Sequence, residues 1–184
     1  QIYLTPRSYQ TLHKGRRKLM KPDNFSGFVL GFNSCRPKSE GTVSITSSRP
    51  GEAPSIRPNY LDHEDDRDEA LAMARLIERL MATPALTGIL ADEPVTLLDK
   101  MDDDAVLADF RQRGGTVFHL CGTCRMGPDA ASSVVDSRLR VHGVEGLRIC
   151  DASAFPNITS ANTNAPTMML AHRAAGMILQ DGQR

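Results

Sequence analysis

Between His63 and Thr83 the sequence HEDDRDEALAMARLIERLMAT sets Ala70, Met73, Ala74, Ile77, Leu80 and Met81 at helical spacing, with charged residues between them. That period predicts an amphipathic helix with one buried stripe, and the acids at its front suit the positive end of the helix dipole. DDDAVLADFRQRGG (102–115) repeats the arrangement, with Asp102–Asp104 at the front and Gly114-Gly115 as the stop. Three adjacent acids also suggest a metal site, but capping of the helix that follows is the better account. Short apolar runs in FSGFVLGFN (25–33) and TVSIT (42–46) predict strands, and the turn-rich CRPKSEG between them predicts that they pair antiparallel. HKGRRKLMKPDN (13–24) is polar and basic and reads as a surface loop with a solvated charge run. A Pro-rich connection, RPGEAPSIRPNYL, leads into the first helix.

After Gly115 the texture changes. TVFHL (116–120) reads as a short strand with His119 at its end, and RMGPDAAS (125–132) as a loop. VVDSRLRVHGVEGLRICDAS (134–153) holds two short β-like runs around a Gly-flanked turn, of which LRICDAS reads as a buried strand. Asn164-Ala165-Pro166 opens a last helix, with Pro166 suited to the first helical position. The shift divides the chain into 1–113 and 114–184.

Charge adds mainly exclusions. The 22 basic residues balance 22 acidic ones, so nothing draws the chain toward nucleic acid or an anionic membrane. No apolar run approaches the roughly 18 residues of a membrane span. QIYLTPRSYQ lacks the basic-then-apolar pattern of a secretory signal. Four cysteines (Cys35, Cys121, Cys124, Cys150) are too sparse for a disulfide scaffold and read as reduced thiols in a cytoplasm. The chain starts at Gln1 rather than at a methionine, and the motifs below favour a piece of a longer protein.

Two stretches carry candidate chemistry: FHLCGTCRMGPD (118–129) and DASAFPNITSANTNAPTMML (151–170). CGTC lacks the second ligand pair of a structural zinc site. It also lacks the helix that follows a thioredoxin-like CxxC, so its cysteines read as small packing residues. From the pattern alone His119 is a satisfied core histidine more readily than a catalyst. The second stretch changes that balance. Asp151 and Ala152 end an apolar run with residues small enough for a ligand to approach the backbone. Asn162, Thr163 and Asn164 add two amides and a hydroxyl just before a helix whose N-terminus favours an anion. Thr163 or Asn164 as a helix cap is compatible with that.

Taken together, FHLCGTCRMG, VVDSRLRVHGVEGLRICDASAFP and ANTNAPTMMLAHRAAGMI closely resemble the C-terminal signature of the glucose–methanol–choline (GMC) family of FAD-dependent oxidoreductases, particularly its choline-dehydrogenase-like and hydroxymethylfurfural-oxidase-like members. The signature spans roughly 116–180, and residues 25–113 resemble the family's substrate-binding domain more weakly. The resemblance implies a mixed α+β and α/β fold. Residues 1–113 would form an antiparallel-sheet substrate domain with helices, and 114–184 the C-terminal part of a Rossmann-like FAD-binding domain. The family's strand–GxGxxG–helix, which binds the ADP half of FAD, occurs nowhere in this sequence. The resemblance therefore implies that an N-terminal FAD-binding portion is missing, and that the chain alone holds FAD weakly or not at all and is inactive.

The resemblance further implies that His119 is the active-site base and that Asn162 is the second active-site residue, in the asparagine branch of the family. Asp151 and Ala152 would touch the flavin and its chain, Asn162, Thr163 and Asn164 would lie along the flavin, and Phe118 would line the substrate pocket. The implied reaction oxidises a primary alcohol to an aldehyde, with hydride passing to flavin N5 and the hydroxyl proton to His119. Histidine suits this because its neutral form is available near pH 7. An aromatic or furanic alcohol stacking on Phe118 and a choline-like cation both remain open, as do oxygen and a quinone-type compound as electron acceptor. A non-oxidative lyase of the same family and a catalytically silent packing or partner-binding domain are the alternative functions.

Overall fold

The computed structural model describes residues 1–14, 17–92, 94, 96 and 98–183. By its internal contacts the chain divides into two compact units, Gln1–Ser34 with Asp68–Asp109 and Cys35–Arg67 with Phe110–Arg184. The long helix α1 (Glu64–Met81) starts in the second of these and continues in the first.

The first unit holds four strands, β1 (Ile2–Thr5), β2 (Tyr9–Lys14), β3 (Arg17–Pro22) and β4 (Val29–Phe32). β1 pairs antiparallel with β4, Ile2 facing Phe32 and Thr5 facing Val29. β2 and β3 pair antiparallel from Tyr9–Pro22 to Lys14–Arg17. Two expectations change here. The stretch expected as a basic surface loop over 13–24 is largely strand, with Gly15 and Arg16 outside the described residues. The 25–33 strand exists, but its partner is β1 and not the 42–46 segment. Gly31 explains part of that choice. It sits opposite Tyr3, whose ring would lie 2.3 Å from a Cβ placed there, so a hydrogen is what lets the tyrosine cross the strand.

α1 buries Ala70, Ala74 and Ile77 and half-buries Met73, Leu80 and Met81, the stripe its period predicts. A short helix α2 (Pro84–Thr87) follows, with Pro84 in its first turn. Leu98–Lys100 form a 3₁₀ turn before α3 (Asp103–Arg113), which buries Val106 and Leu107. Asp102 accepts the Ala105 backbone N–H at 2.8 Å, so the acidic triplet does cap α3. The Arg75 guanidinium donates to the carbonyls of Leu98 and Met101 and to Asp103, each at 3.0 Å, and fastens α1 to the start of α3.

In the second unit β5 (Thr42–Ser44) pairs antiparallel with β6 (Ser55–Arg57), so the expected 42–46 strand folds back on the Pro-rich segment. CRPKSEG makes no hairpin. Its Lys38 and Ser39 N–H groups donate to the Asp66 carboxylate at 2.8 and 2.7 Å, which directs them to the first turn of α1 instead of a neighbouring strand. Residues 116–153, expected to hold short strands, keep only isolated bridges: Met126–Val135, Val135–Val141 and Arg140–Arg148. TVFHL and LRICDAS are not strands. α4 (Asn164–Asp181) closes the chain, with Pro166 as its third residue instead of its first.

The second unit's core is Val135, Leu139, Ala154, Phe155, Leu170 and Ala174, with Cys121, Met126, Ile149 and Cys150 packed around it. At the far end of α4, Asp181 lies where the helix dipole disfavours an acid. Arg148 and Arg138 both bond its carboxylate. The Arg148 hydrogen bond is the main cause that holds the Asp181 carboxyl below its ordinary range. Among the described residues no helix is long and apolar enough to cross a membrane.

Candidate active site

Backbone hydrogen bonds bring the two signature stretches together. The Cys124 N–H donates to the Ser153 carbonyl at 3.0 Å and the Met126 N–H to the Ala154 carbonyl at 2.9 Å. On its other edge the same ribbon is tied to 134–135, with Gly127 N–H to Val135 carbonyl and Val134 N–H to Arg125 carbonyl, both at 2.9 Å. The turn through CGTC requires Gly122 at φ 88°, a conformation that strains residues with a Cβ. CGTC is thus a turn that lies against 153–154 and leads back from His119.

His119 is half-buried, and its ring is held from both sides. Its Nε2 lies 2.7 Å from Asn162 Nδ2, a contact between residues 43 apart in sequence. Its Nδ1 lies 3.0 Å from the Thr163 hydroxyl, and the Thr163 backbone N–H also points at Nδ1, at 3.4 Å. Thr163 is buried, while Asn162 and Asn164 are exposed. Asn162 therefore closes the solvent side of the imidazole, and Thr163 its protein side.

The remaining candidates are spread along the same stretches. Asp151 accepts the Ser153 N–H at 2.8 Å and caps the 3₁₀ turn Ala152–Ala154, so its carboxylate orders the backbone next to Ala152. Asn164 starts α4, and its amide donates to the Met168 sulfur at 3.9 Å. Phe118 precedes His119 and is 84% exposed, with its N–H on the Thr116 hydroxyl.

Backbone conformation adds a signal that residue types do not carry. Phe118 and Ser160 both adopt φ 61°, a left-handed conformation uncommon outside glycine. One lies immediately before His119 and the other two residues before Asn162. The Arg36 guanidinium donates to the Ser160 hydroxyl at 2.7 Å and secures the second of these turns. Residues of this kind cost roughly 1–3 kcal/mol; Asn59, Leu61 and Leu139 share the conformation away from these stretches, so it is not confined to them.

The other nominated groups do different work. The four cysteines form no disulfide among the described residues, and burial pushes the Cys121 thiol up despite the opposing charge of Arg125. A thiol moved that way makes a poor nucleophile. Among the described residues no three His, Cys, Asp or Glu side chains gather as metal ligands. His142 is half-buried, 3.3 Å from the Gly127 carbonyl and 3.1 Å from the Ser133 hydroxyl.

At the open N-terminus of α4, Thr163 makes no side-chain cap. The first N–H groups, those of Asn164 and Ala165, together with the positive end of the dipole, suit the negative pyrimidine edge of a flavin. The donor set therefore fits FAD, the cofactor that the sequence resemblance implies.

Residues 37–171 match the family described as GMC oxidoreductase, in its C-terminal part, and this range includes Phe118, His119, Asp151, Asn162 and Thr163. The chain is 38% identical over 154 residues to an alcohol dehydrogenase [acceptor] of Pseudomonas putida, covering 84% of this chain and 28% of that protein. It is 42% identical over 152 residues to an oxygen-dependent choline dehydrogenase of Proteus mirabilis, covering 83% and 27%. Among solved structures, an FAD-dependent oxidoreductase from Chaetomium thermophilum superposes with a TM-score of 0.75 at 26% identity, over 85% of this chain and 26% of that one. The chain spans roughly a quarter of the length of these relatives.

Proposed function

Because the chain belongs to the GMC oxidoreductase family, we propose that it supplies the proton-handling side of an FAD-dependent active site that oxidises a primary alcohol to an aldehyde. One observation carries the reading: His119 Nε2 and Asn162 Nδ2 meet at 2.7 Å on the solvent side of the imidazole. A carbinol hydroxyl entering there donates to Nε2 and accepts from the Asn162 amide, replacing the contact the two side chains make with each other. His119 then takes the hydroxyl proton at Nε2 as the carbinol carbon gives up its hydride. Asn162 holds the oxygen and aims the carbon, a positioning role. Bound FAD supplies the hydride acceptor.

The chain's own residues fit around that step. Asp151 orders the 3₁₀ turn at Ala152, where small side chains permit close approach by the cofactor. The uncapped start of α4 offers the N–H groups of Asn164 and Ala165 to negative charge. Phe118 presents an exposed ring beside the base and suits an aryl or furanic carbinol. In the full-length protein, sequence outside these 184 residues is proposed to hold the ADP half of the cofactor, with oxygen or a quinone-type compound as the final acceptor.

Stopped-flow measurement of flavin reduction in the full-length protein tests the assignment. His119→Ala is expected to slow reduction by about 10²–10⁴, the usual worth of a general base. Reduction within a few-fold of wild type removes His119 from the role. Asn162→Ala is expected to cost less, and the opposite order of the two losses contradicts the division of labour.

A further inference from the structure

We propose that the Thr163 hydroxyl is the group that sets the tautomer of His119, and that it thereby makes the imidazole a base and not merely a donor. The inference rests on the alcohol-oxidising reading above and concerns how its base is prepared.

A neutral imidazole carries its proton on one nitrogen only, and a base facing the substrate must keep Nε2 free. Two groups of Thr163 face the other nitrogen. The backbone N–H, 3.4 Å from Nδ1, can only donate, and alone it would turn Nδ1 into an acceptor and put the proton on Nε2. The side-chain hydroxyl, closer at 3.0 Å, can accept, and it is the one of the two that can hold a proton on Nδ1. The Asn162 amide nitrogen, 2.7 Å from Nε2, selects the same form, since an Nε2–H would meet an amide N–H head-on. The hydroxyl can accept as well as donate, so it can meet the Nδ1–H that the amide favours, and it lies closer to Nδ1 than the backbone N–H does.

Thr163 gives up something local to do this. It precedes α4, where a threonine side chain ordinarily accepts an N–H of the helix's first turn, yet it makes no such bond and has helical backbone angles, φ −82° and ψ −5°. Its carbonyl accepts both the Thr167 N–H at 3.0 Å and the Thr167 hydroxyl at 2.7 Å, which anchors the residue to the helix. Thr163 is 5% exposed, so its hydroxyl is shielded from solvent. Once Nε2 has taken the substrate proton, the Nδ1–H bond to Thr163 is already made and the imidazolium forms without reorienting the ring.

Thr163→Val keeps the shape and the backbone N–H and removes only the hydroxyl, while Thr163→Ser keeps it. Both belong in the full-length flavoprotein, with the visible spectrum confirming retained FAD. Proton-coupled ¹⁵N spectra of histidine-labelled protein, with the His119 signals identified by their loss in His119→Gln, read the tautomer directly. The wild type and Thr163→Ser are expected in the Nδ1–H form and Thr163→Val in the Nε2–H form. Flavin reduction by an alcohol is expected to fall about 10²–10³-fold in Thr163→Val, in keeping with the ~10⁴ that a misplaced tautomer costs a hydrolase triad, and to recover in Thr163→Ser. An Nε2–H signal in the wild type, or an unchanged tautomer in Thr163→Val, overturns the inference. If no alcohol reduces the flavin of the wild type, the functional reading fails, and the tautomer spectra still decide the part played by Thr163.

Discussion

Glu64, Asp65 and Asp66 look alike in sequence, three acids at the front of a helix, but Asp66 alone of the three is buried, at 6% exposure. Burial pushes its carboxyl up, yet hydrogen bonds from Ser39 and from the Lys38 and Ser39 backbone outweigh this and hold it below the ordinary carboxylate value. A carboxyl lowered in the folded state stabilises the fold fully above its unfolded value of about 3.9, and that contribution is lost as pH falls through the lower folded value. Asp66→Ala is expected to cost about 1–3 kcal/mol near neutral pH, because two backbone N–H groups lose their acceptor. Urea unfolding at neutral pH and again below about pH 3.9 checks this, with the gap between variant and wild type narrowing in acid. A gap that widens in acid contradicts the sign. Thr163 teaches the same lesson at the site: its residue type suggests a cap, and its environment uses the hydroxyl for something else.

At the scale of elements, the site depends on α4 being seated on the 124–154 ribbon. Leu170 and Ala174 are the helix's buried positions, packed with Val135, Leu139, Ala154 and Phe155. Leu170→Ala is expected to destabilise the protein by about 2–5 kcal/mol, the range for emptying a packed leucine site. Because Thr163 begins the same helix, the variant is also expected to slow flavin reduction in the molecules that remain folded. A thermal melt combined with stopped-flow reduction separates the two effects, and an unchanged melting temperature contradicts the packing role. The helices were legible in the sequence because the 3.6-residue period of α1 and the acids before α3 are local signals. Of the strands only β4 and β5 were legible as segments, and not with their partners; β2 and β3 read as a loop, and TVFHL and LRICDAS read as strands that the fold does not form. β4 met β1 instead of β5, since strand partners come from distant sequence and CRPKSEG spends its N–H groups on Asp66.

For the whole molecule the proposal places half of a cofactor site on this chain. The isolated 184 residues are expected to bind FAD weakly or not at all, and the full-length protein to carry it tightly. Fluorescence titration of both preparations with FAD reads the difference, and tight binding by the isolated chain contradicts it. The sequence by itself determined the three long helices α1, α3 and α4, the family, and which residues to watch: His119, Asn162, Phe118 and the 151–164 stretch, because helix periodicity and fixed-spacing motifs are written in neighbouring positions. Only the tertiary structure decided that the imidazole meets the Asn162 amide on one nitrogen and the Thr163 hydroxyl on the other. The physical reason is that Nδ1 and Nε2 are equivalent in a sequence. They become different only when a chain folded back over 43 residues sets a carboxamide against one and a threonine hydroxyl against the other.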